Sequence, residues 1–191
     1  MNFVSEADVE QARLDLLREM GYAVVHGDDI GPDSNSAERF SYSDVILQGR
    51  FEQALINLNP GLPKIVLDEA KRLIADSVFP DLMEENRRVH HLLAEGVDIE
   101  YQGPNGLPAN ARVRYFDFET AENNDWLAVN QFTVIDGGAE RKADVVIFVN
   151  GLPLAVDELK NPEDKEASIE SAFHQLQTYK QEIPSLFRTN A

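Results

Sequence analysis

The first apolar pattern along the chain has helical spacing. Ser5-Glu6-Ala7-Asp8 sets a capping hydroxyl three residues ahead of a carboxylate. Val9, Ala12, Leu16, Leu17 and Met20 then recur every three or four residues until Gly21 stops the run. Residues 22–26 read as a short strand and 27–42 as a polar loop. A second helix is expected after Ser43, carrying Val45, Ile46, Phe51, Leu55 and Leu58 as far as Asn59-Pro60. Two more are expected over about 62–76 and 80–95, the latter closed by Gly96.

Beyond Gly96 the pattern turns strand-like. Residues 97–101 and 111–118 flank the turn-forming Gly103-Pro104-Asn105-Gly106, and further strands are expected over 126–135, 143–149 and 154–159. A last helix, about 166–182, precedes Ile183-Pro184. No repeat, low-complexity tract or linker interrupts the chain. Helices first, then a meander of strands, then a helix predict a single α/β or α+β domain over 1–191.

Composition narrows the setting. With 43% hydrophobic and 27% charged residues the 191-residue chain has an ordinary globular make-up. No run approaches the roughly 20 apolar residues of a membrane span. Met1-Asn2-Phe3-Val4-Ser5 lacks the basic and apolar regions of a signal peptide, and the absence of cysteine excludes disulfides and thiolate metal sites. A cytoplasmic protein is expected. The net charge of −17 is unfavourable for gripping nucleic acid. Its distribution is uneven: residues 1–138 carry 11 Lys and Arg against 25 Asp and Glu, whereas 139–191 carry 6 against 9.

The less acidic part holds the residues that point to chemistry. From Ala143 to Lys160, two apolar strands are joined by Asn150-Gly151, with Asp144 at the outer end of one, Asp157 and Glu158 at the outer end of the other, and Lys160 after them. Carboxylates among valines and isoleucines are costly to bury unless something pairs with them. A divalent cation would, since Mg²⁺ favours one or two carboxylates together with water and phosphate oxygens. Glu158 and Lys160, two apart on a strand, share a face, where they can orient a water against a phosphodiester. The register matters. A two-residue Asn-Gly turn alone sets Asp157 opposite Asp144 and turns Lys160 away; an odd-numbered loop or a β-bulge sets Glu158 there instead. The odd loop or bulge is expected.

This arrangement, Asp followed by an Asn-Gly-Leu-Pro-Leu hairpin and Glu158-Leu159-Lys160-Asn161, is similar to the nuclease core of type I restriction enzyme R (HsdR) subunits, of the PD-(D/E)xK, RecB-like superfamily. The flanks agree: Asn123-Asn124-Asp125 and Asn130-Gln131-Phe132 before the hairpin, Ala172 to Tyr179 after it, and Ile183-Pro184-Ser185-Leu186-Phe187 at the close. The opening Ser5 to Glu10 with Gly21-Tyr22 also resembles that family. Two positions depart from its pattern: Ala143 stands where proline or a larger residue is usual, and Asp157 where an apolar one is.

The resemblance implies a mixed central sheet flanked by helices, with extra N-terminal helices, a core over about 97–182 and helix 5–20 packed on it. It implies that Asp144 and Glu158 ligate Mg²⁺, for which Mn²⁺ can substitute, with the Leu159 carbonyl as third protein ligand. Lys160 would position the nucleophilic water, and Gln175 and Tyr179, a Q-x-x-x-Y pair, would contact DNA or brace the site. A helix-one glutamate joins such sites, Glu10 being preferred over Glu6. The implied substrate is double-stranded DNA, cut within a complex that also contains a downstream ATP-driven motor and methylation and specificity subunits. No G-x-x-x-x-G-K-[S/T] loop occurs, so ATP use is assigned to the motor and the chain is read as a fragment of a longer subunit. His90-His91 and His174 are read as structural. A docking module that has lost activity and an acidic DNA mimic are the rival readings.

Overall fold

The computed structural model describes residues 5–161 and 168–190. Its centre is a four-stranded mixed sheet in the order β1-β4-β5-β6. β1 (Ala23–His26) runs parallel to β4 (Trp126–Asp136), while β4 with β5 (Ala139–Val149), and β5 with β6 (Leu152–Asp157), are antiparallel. β2 (Val97–Gln102) and β3 (Pro108–Val113) form a separate antiparallel pair. The class is α/β with helices against the mixed sheet, as expected.

Helix α1 (Glu6–Glu19) covers one face of the sheet. Leu14 and Leu17 pack there on Ala128, Val145 and Ile147. The capping box is present, Ser5 and Asp8 each bonding the other's backbone N–H. The buried stripe differs from the one the spacing predicts, for Leu16 and Met20 face solvent. The contact with the sheet selects a face that includes the polar residues Glu10 and Arg13. Helix α5 (Ile169–Glu182) and the turn after it cover the opposite face, where Tyr179, Ile183, Leu186 and Phe187 pack on Val129, Phe132, Val146 and Phe148. Ser168 caps α5, so residues 166 and 167 of the expected helix lie outside the described residues.

Helices α2 (Gln48–Leu58), α3 (Lys64–Ala75) and α4 (Leu82–Glu95) form a second core with β2, β3 and the turn end of the β5–β6 hairpin. Several boundaries are corrected. β6 ends at Asp157, so Glu158 and Lys160 lie just past it and not on the strand expected over 154–159. α2 starts at Gln48, not after Ser43: Ser43 hydrogen-bonds Ser41 within a turn. Leu47, which precedes the helix, donates its N–H to the Gly151 carbonyl at 2.9 Å. Val45 and Ile46 therefore pack from the loop ahead of the helix. β3 ends at Val113 rather than 118, because the Asn59 side chain takes both the N–H and the carbonyl of Arg114 and diverts that backbone from the ladder. Among the described residues no helix is long and apolar enough to cross a membrane.

The hairpin turn is sterically determined. Asn150 and Gly151 have φ of 54° and 77°, the two positive angles of a type I′ turn. A Cβ on Gly151 would lie 2.6 Å from the Leu47 carbonyl oxygen and 2.7 Å from the Phe51 nitrogen, so only glycine fits. Asn150 is wholly buried. Its amide donates to the Tyr115 carbonyl and to Asn124, and its oxygen accepts the Asp125 N–H.

Candidate active site

The turn has two residues, yet the register is not the one such a turn alone dictates. Val149 faces Leu152 and Phe148 faces Pro153, but Ile147 then faces Ala155, leaving Leu154 as the extra residue of a bulge. The shift sets Val145 opposite Asp157, where the ladder ends; the same register continued by one position brings Asp144 level with Glu158. Of the two devices expected to bring them together, the chain uses the bulge.

The Asp144 and Glu158 carboxyls lie close enough at the outer end of the hairpin for the Asp144 charge to act on Glu158. Asp144 Oδ2 accepts the Leu159 N–H at 2.8 Å. The Glu158 side chain is only 2% exposed; one oxygen accepts from Lys160 Nζ at 2.8 Å. Its other oxygen, Oε2, is buried with no hydrogen-bond partner among the described residues. Burial pushes the Asp144 carboxyl above its ordinary 3.8, aided by the negative charges of Glu6 and Glu10. Glu158 is likewise pushed above 4.5 by burial, with Asp144 adding to the effect.

Lys160 links this pair to α5. Its Nζ also donates to Gln175 Oε1 at 2.7 Å, Gln175 Nε2 donates to the Tyr179 hydroxyl at 2.8 Å, and that hydroxyl donates to the Lys142 carbonyl at 3.2 Å. Burial opposes the charged ammonium, but the hydrogen bond it donates to Glu158 outweighs this with the help of the Glu158 and Asp144 charges, so Lys160 is held protonated above its ordinary value. Tyr179 is both wall and hydrogen-bonding group: its ring is buried with Phe132 and Phe148, and burial raises its hydroxyl. Gln175 thus meets Lys160 directly and Tyr179 joins it through Gln175, the two lying four residues apart on one helical face.

From α1, Glu10 reaches the neighbouring part of β4. Asn130 Nδ2 donates to its Oε1 at 2.7 Å and Gln131 Nε2 to its Oε2 at 2.6 Å. Glu6 is exposed. Asp157 is drawn out of the carboxylate cluster by Arg13, whose Nε donates to it at 2.7 Å. Arg13, Asn130 and Gln131 were not assigned to the site from spacing. Their one signal in sequence is the Asn130-Gln131-Phe132 run on the strand expected over 126–135, which does not show that α1 meets it. His90 and His91 lie exposed on α4, His91 beside Glu95, and His174 lies beside Glu170 on α5.

Among the described residues no three His, Cys, Asp or Glu side chains close round one point at metal-binding spacing. The donors suit a hard cation that keeps much of its water. Burial raises both carboxyls, the Asp144 charge adds to the effect on Glu158, and one Glu158 oxygen is orphaned among the described residues; a divalent ion, which takes one or two protein carboxylates, would suit such a pair.

Residues 3–191 match the family described as type I restriction enzyme R protein N terminus. The type I restriction enzyme HindI endonuclease subunit of Haemophilus influenzae is 37% identical over 188 residues, 98% of this chain and 18% of that protein. A Methanocaldococcus jannaschii protein, named as a candidate endonuclease subunit of the MjaIXP type I restriction enzyme, is 33% identical over 183 residues, 94% of this chain and 17% of that protein. The chain thus spans less than a fifth of the length of these curated relatives. With nearly its whole length inside the match, the chain belongs to the family of type I restriction enzyme R protein N termini.

Proposed function

We propose that this chain is a divalent-metal-dependent endonuclease domain that hydrolyses phosphodiester bonds of double-stranded DNA. The observation that carries the reading is the buried Glu158 Oε2, without a hydrogen-bond partner among the described residues, near Asp144 and on the side chain whose other oxygen accepts from Lys160. Asp144, Glu158 and the Leu159 carbonyl would hold Mg²⁺ or Mn²⁺, with Glu10 contributing charge from α1. Bound there, the ion supplies neutralisation of the scissile phosphate and a water of lowered pKa. Lys160, fixed between Glu158 and Gln175, orients the attacking water and offsets charge as it develops on the phosphate. Gln175 and Tyr179 keep that lysine aimed and line the approach of the DNA backbone.

The relatives' names place their subunits in type I restriction enzymes, and we extend that setting to this chain: a cytoplasmic complex with an ATP-driven motor on the same subunit and with separate methylation and specificity subunits. With a net charge of −17, this domain has a field that opposes DNA. The isolated chain is expected to cut plasmid weakly or not at all, other parts of the complex delivering the substrate.

The test is Lys160→Ala in the full-length subunit, assembled with its partners, with DNA cleavage and DNA-stimulated ATP hydrolysis followed together. Loss of cleavage with ATPase retained is expected. Cleavage at the wild-type rate overturns the assignment, and loss of both activities favours the docking-module reading.

A further inference from the structure

β4 and β5 keep one register on either side of the site, Asn130 facing Val145 and Phe132 facing Ala143, yet Gln131 and Asp144, which fall between, are missing from the ladder. Gln131 has φ of 54°, in the left-handed region that side chains seldom adopt. The other non-glycine with positive φ among the described residues, Asn150, sits in the hairpin turn. Residues two apart on a strand ordinarily share a face. Here Val145 packs with the α1 face while Ala143 packs with the α5 face. On the partner strand Asn130 bonds Glu10 of α1 while Phe132 packs on the α5 face. Both strands therefore switch faces at Gln131 and Asp144, and Asp144, released from the ladder, reaches the Leu159 N–H.

The kink is braced from two sides. Gly27, just past β1, donates its N–H to the Asn130 carbonyl at 2.8 Å. A Cβ on Gly27 would lie 2.4 Å from the Gln131 carbonyl oxygen. From the other side the Gln131 amide holds Glu10 at 2.6 Å. Strain of this kind persists where the surroundings enforce it. We propose that Gln131 is a positioning residue for the cation site: its left-handed backbone, pinned by Gly27 and by Glu10, sets the place of Asp144. The inference rests on reading Asp144 and Glu158 as a cation site.

The test is titration of the 191-residue chain with Mn²⁺, free ion being followed by electron paramagnetic resonance and folding by circular dichroism. Gln131→Gly and Gln131→Val both delete the amide, but only glycine keeps the left-handed backbone without strain. Their difference therefore reads the backbone alone. Gln131→Gly loses the Glu10 contact and is expected to bind somewhat more weakly than wild type, and Gln131→Val about 10-fold or more weaker than Gln131→Gly, the usual effect of disturbing the support of a metal ligand. Gly27→Ala presses on the same carbonyl without altering Gln131 and is expected to weaken binding likewise, which keeps the test decisive if the valine variant unfolds. Equal affinity of the glycine and valine variants, or wild-type affinity of a folded Gly27→Ala, overturns the proposal. Asp144→Asn is the control: if it binds Mn²⁺ as wild type does, the cation site itself is misplaced, whatever the Gln131 variants do.

Discussion

Arg13 Nε donates to Asp157 Oδ2 at 2.7 Å, joining α1 to β6 across 144 positions of sequence. The contact commits the Asp157 carboxylate to the helix and leaves Asp144 and Glu158 as the facing carboxylates of the hairpin. Both partners are about a quarter to a third exposed, so screening keeps the pair's contribution to about 1 kcal/mol. Arg13→Ala and Asp157→Ala are each expected to lower stability by that amount in urea unfolding, and the double variant to lose little more. Asp157→Asn should leave Mn²⁺ affinity unchanged; a large loss would return Asp157 to the metal site.

The raised carboxyls give a signed pH prediction. A folded-state value above the unfolded one means that the folded protein binds protons more tightly. For Asp144 and Glu158 this stabilisation is fully present below their ordinary 3.8 and 4.5 and is lost as pH rises through the raised values. At pH 7 without divalent cations the pair therefore works against the fold. Asp144→Asn, which keeps an acceptor for the Leu159 N–H, should raise the metal-free Tm, by about 2–4 °C for each kcal/mol relieved. Mg²⁺ should raise the Tm of wild type and not of the variant. A lower metal-free Tm for the variant would contradict this account.

Tyr179 joins two roles that substitution can separate. Tyr179→Phe keeps the packed ring and removes the hydroxyl between Gln175 and the Lys142 carbonyl, at an expected cost of about 1 kcal/mol. Tyr179→Ala empties a core position and should cost about 3–5 kcal/mol. Gln175→Ala leaves the packing alone but frees Lys160, so cleavage by the assembled enzyme should drop about tenfold or more with stability nearly unchanged. An unfolding curve shifted as far as that of Tyr179→Ala would make Gln175 structural instead.

Glu85, 1% exposed on α4, anchors the second core. Burial pushes its carboxyl up, but Arg88 and the N–H groups of Phe79 and Val78 outweigh this and hold it at about 2. Its contribution to stability is present above the unfolded 4.5 and is lost as pH falls towards 2. Glu85→Gln leaves Arg88 and Arg188 short of their counter-charge and should cost about 3 kcal/mol at pH 7. The deficit should shrink below pH 4, which denaturant titrations at pH 7 and pH 3 would show.

Local pattern carried much of this protein. Asn150-Gly151 between two valine- and isoleucine-rich runs specifies a hairpin because few other residue pairs accept two positive φ angles, and the cap at Ser5 marks the start of α1 through its own side chain. The same stretch displayed Asp144, Glu158 and Lys160, and helical spacing put Gln175 beside Tyr179. What these features share is that partner and signal lie within a few residues of each other.

Tertiary structure decided the rest, since its causes lie far apart in the chain. The bulge at Leu154 that sets Glu158 rather than Asp157 opposite Asp144 has no sequence mark of its own; it adds one residue to β6 while the turn stays fixed against Leu47 and Phe51. Val45 and Ile46 continue a helical pattern yet stay outside the helix, because Leu47 is tied to Gly151, more than a hundred residues later. β1 is four residues long and finds its parallel partner in β4, and the face of α1 that meets the sheet carries Glu10 and Arg13 instead of Leu16 and Met20. Periodicity reports which residues can share a face. Which face is buried, and against what, is settled by the free energy of packing distant segments together, and the place of each carboxylate in the site follows from that.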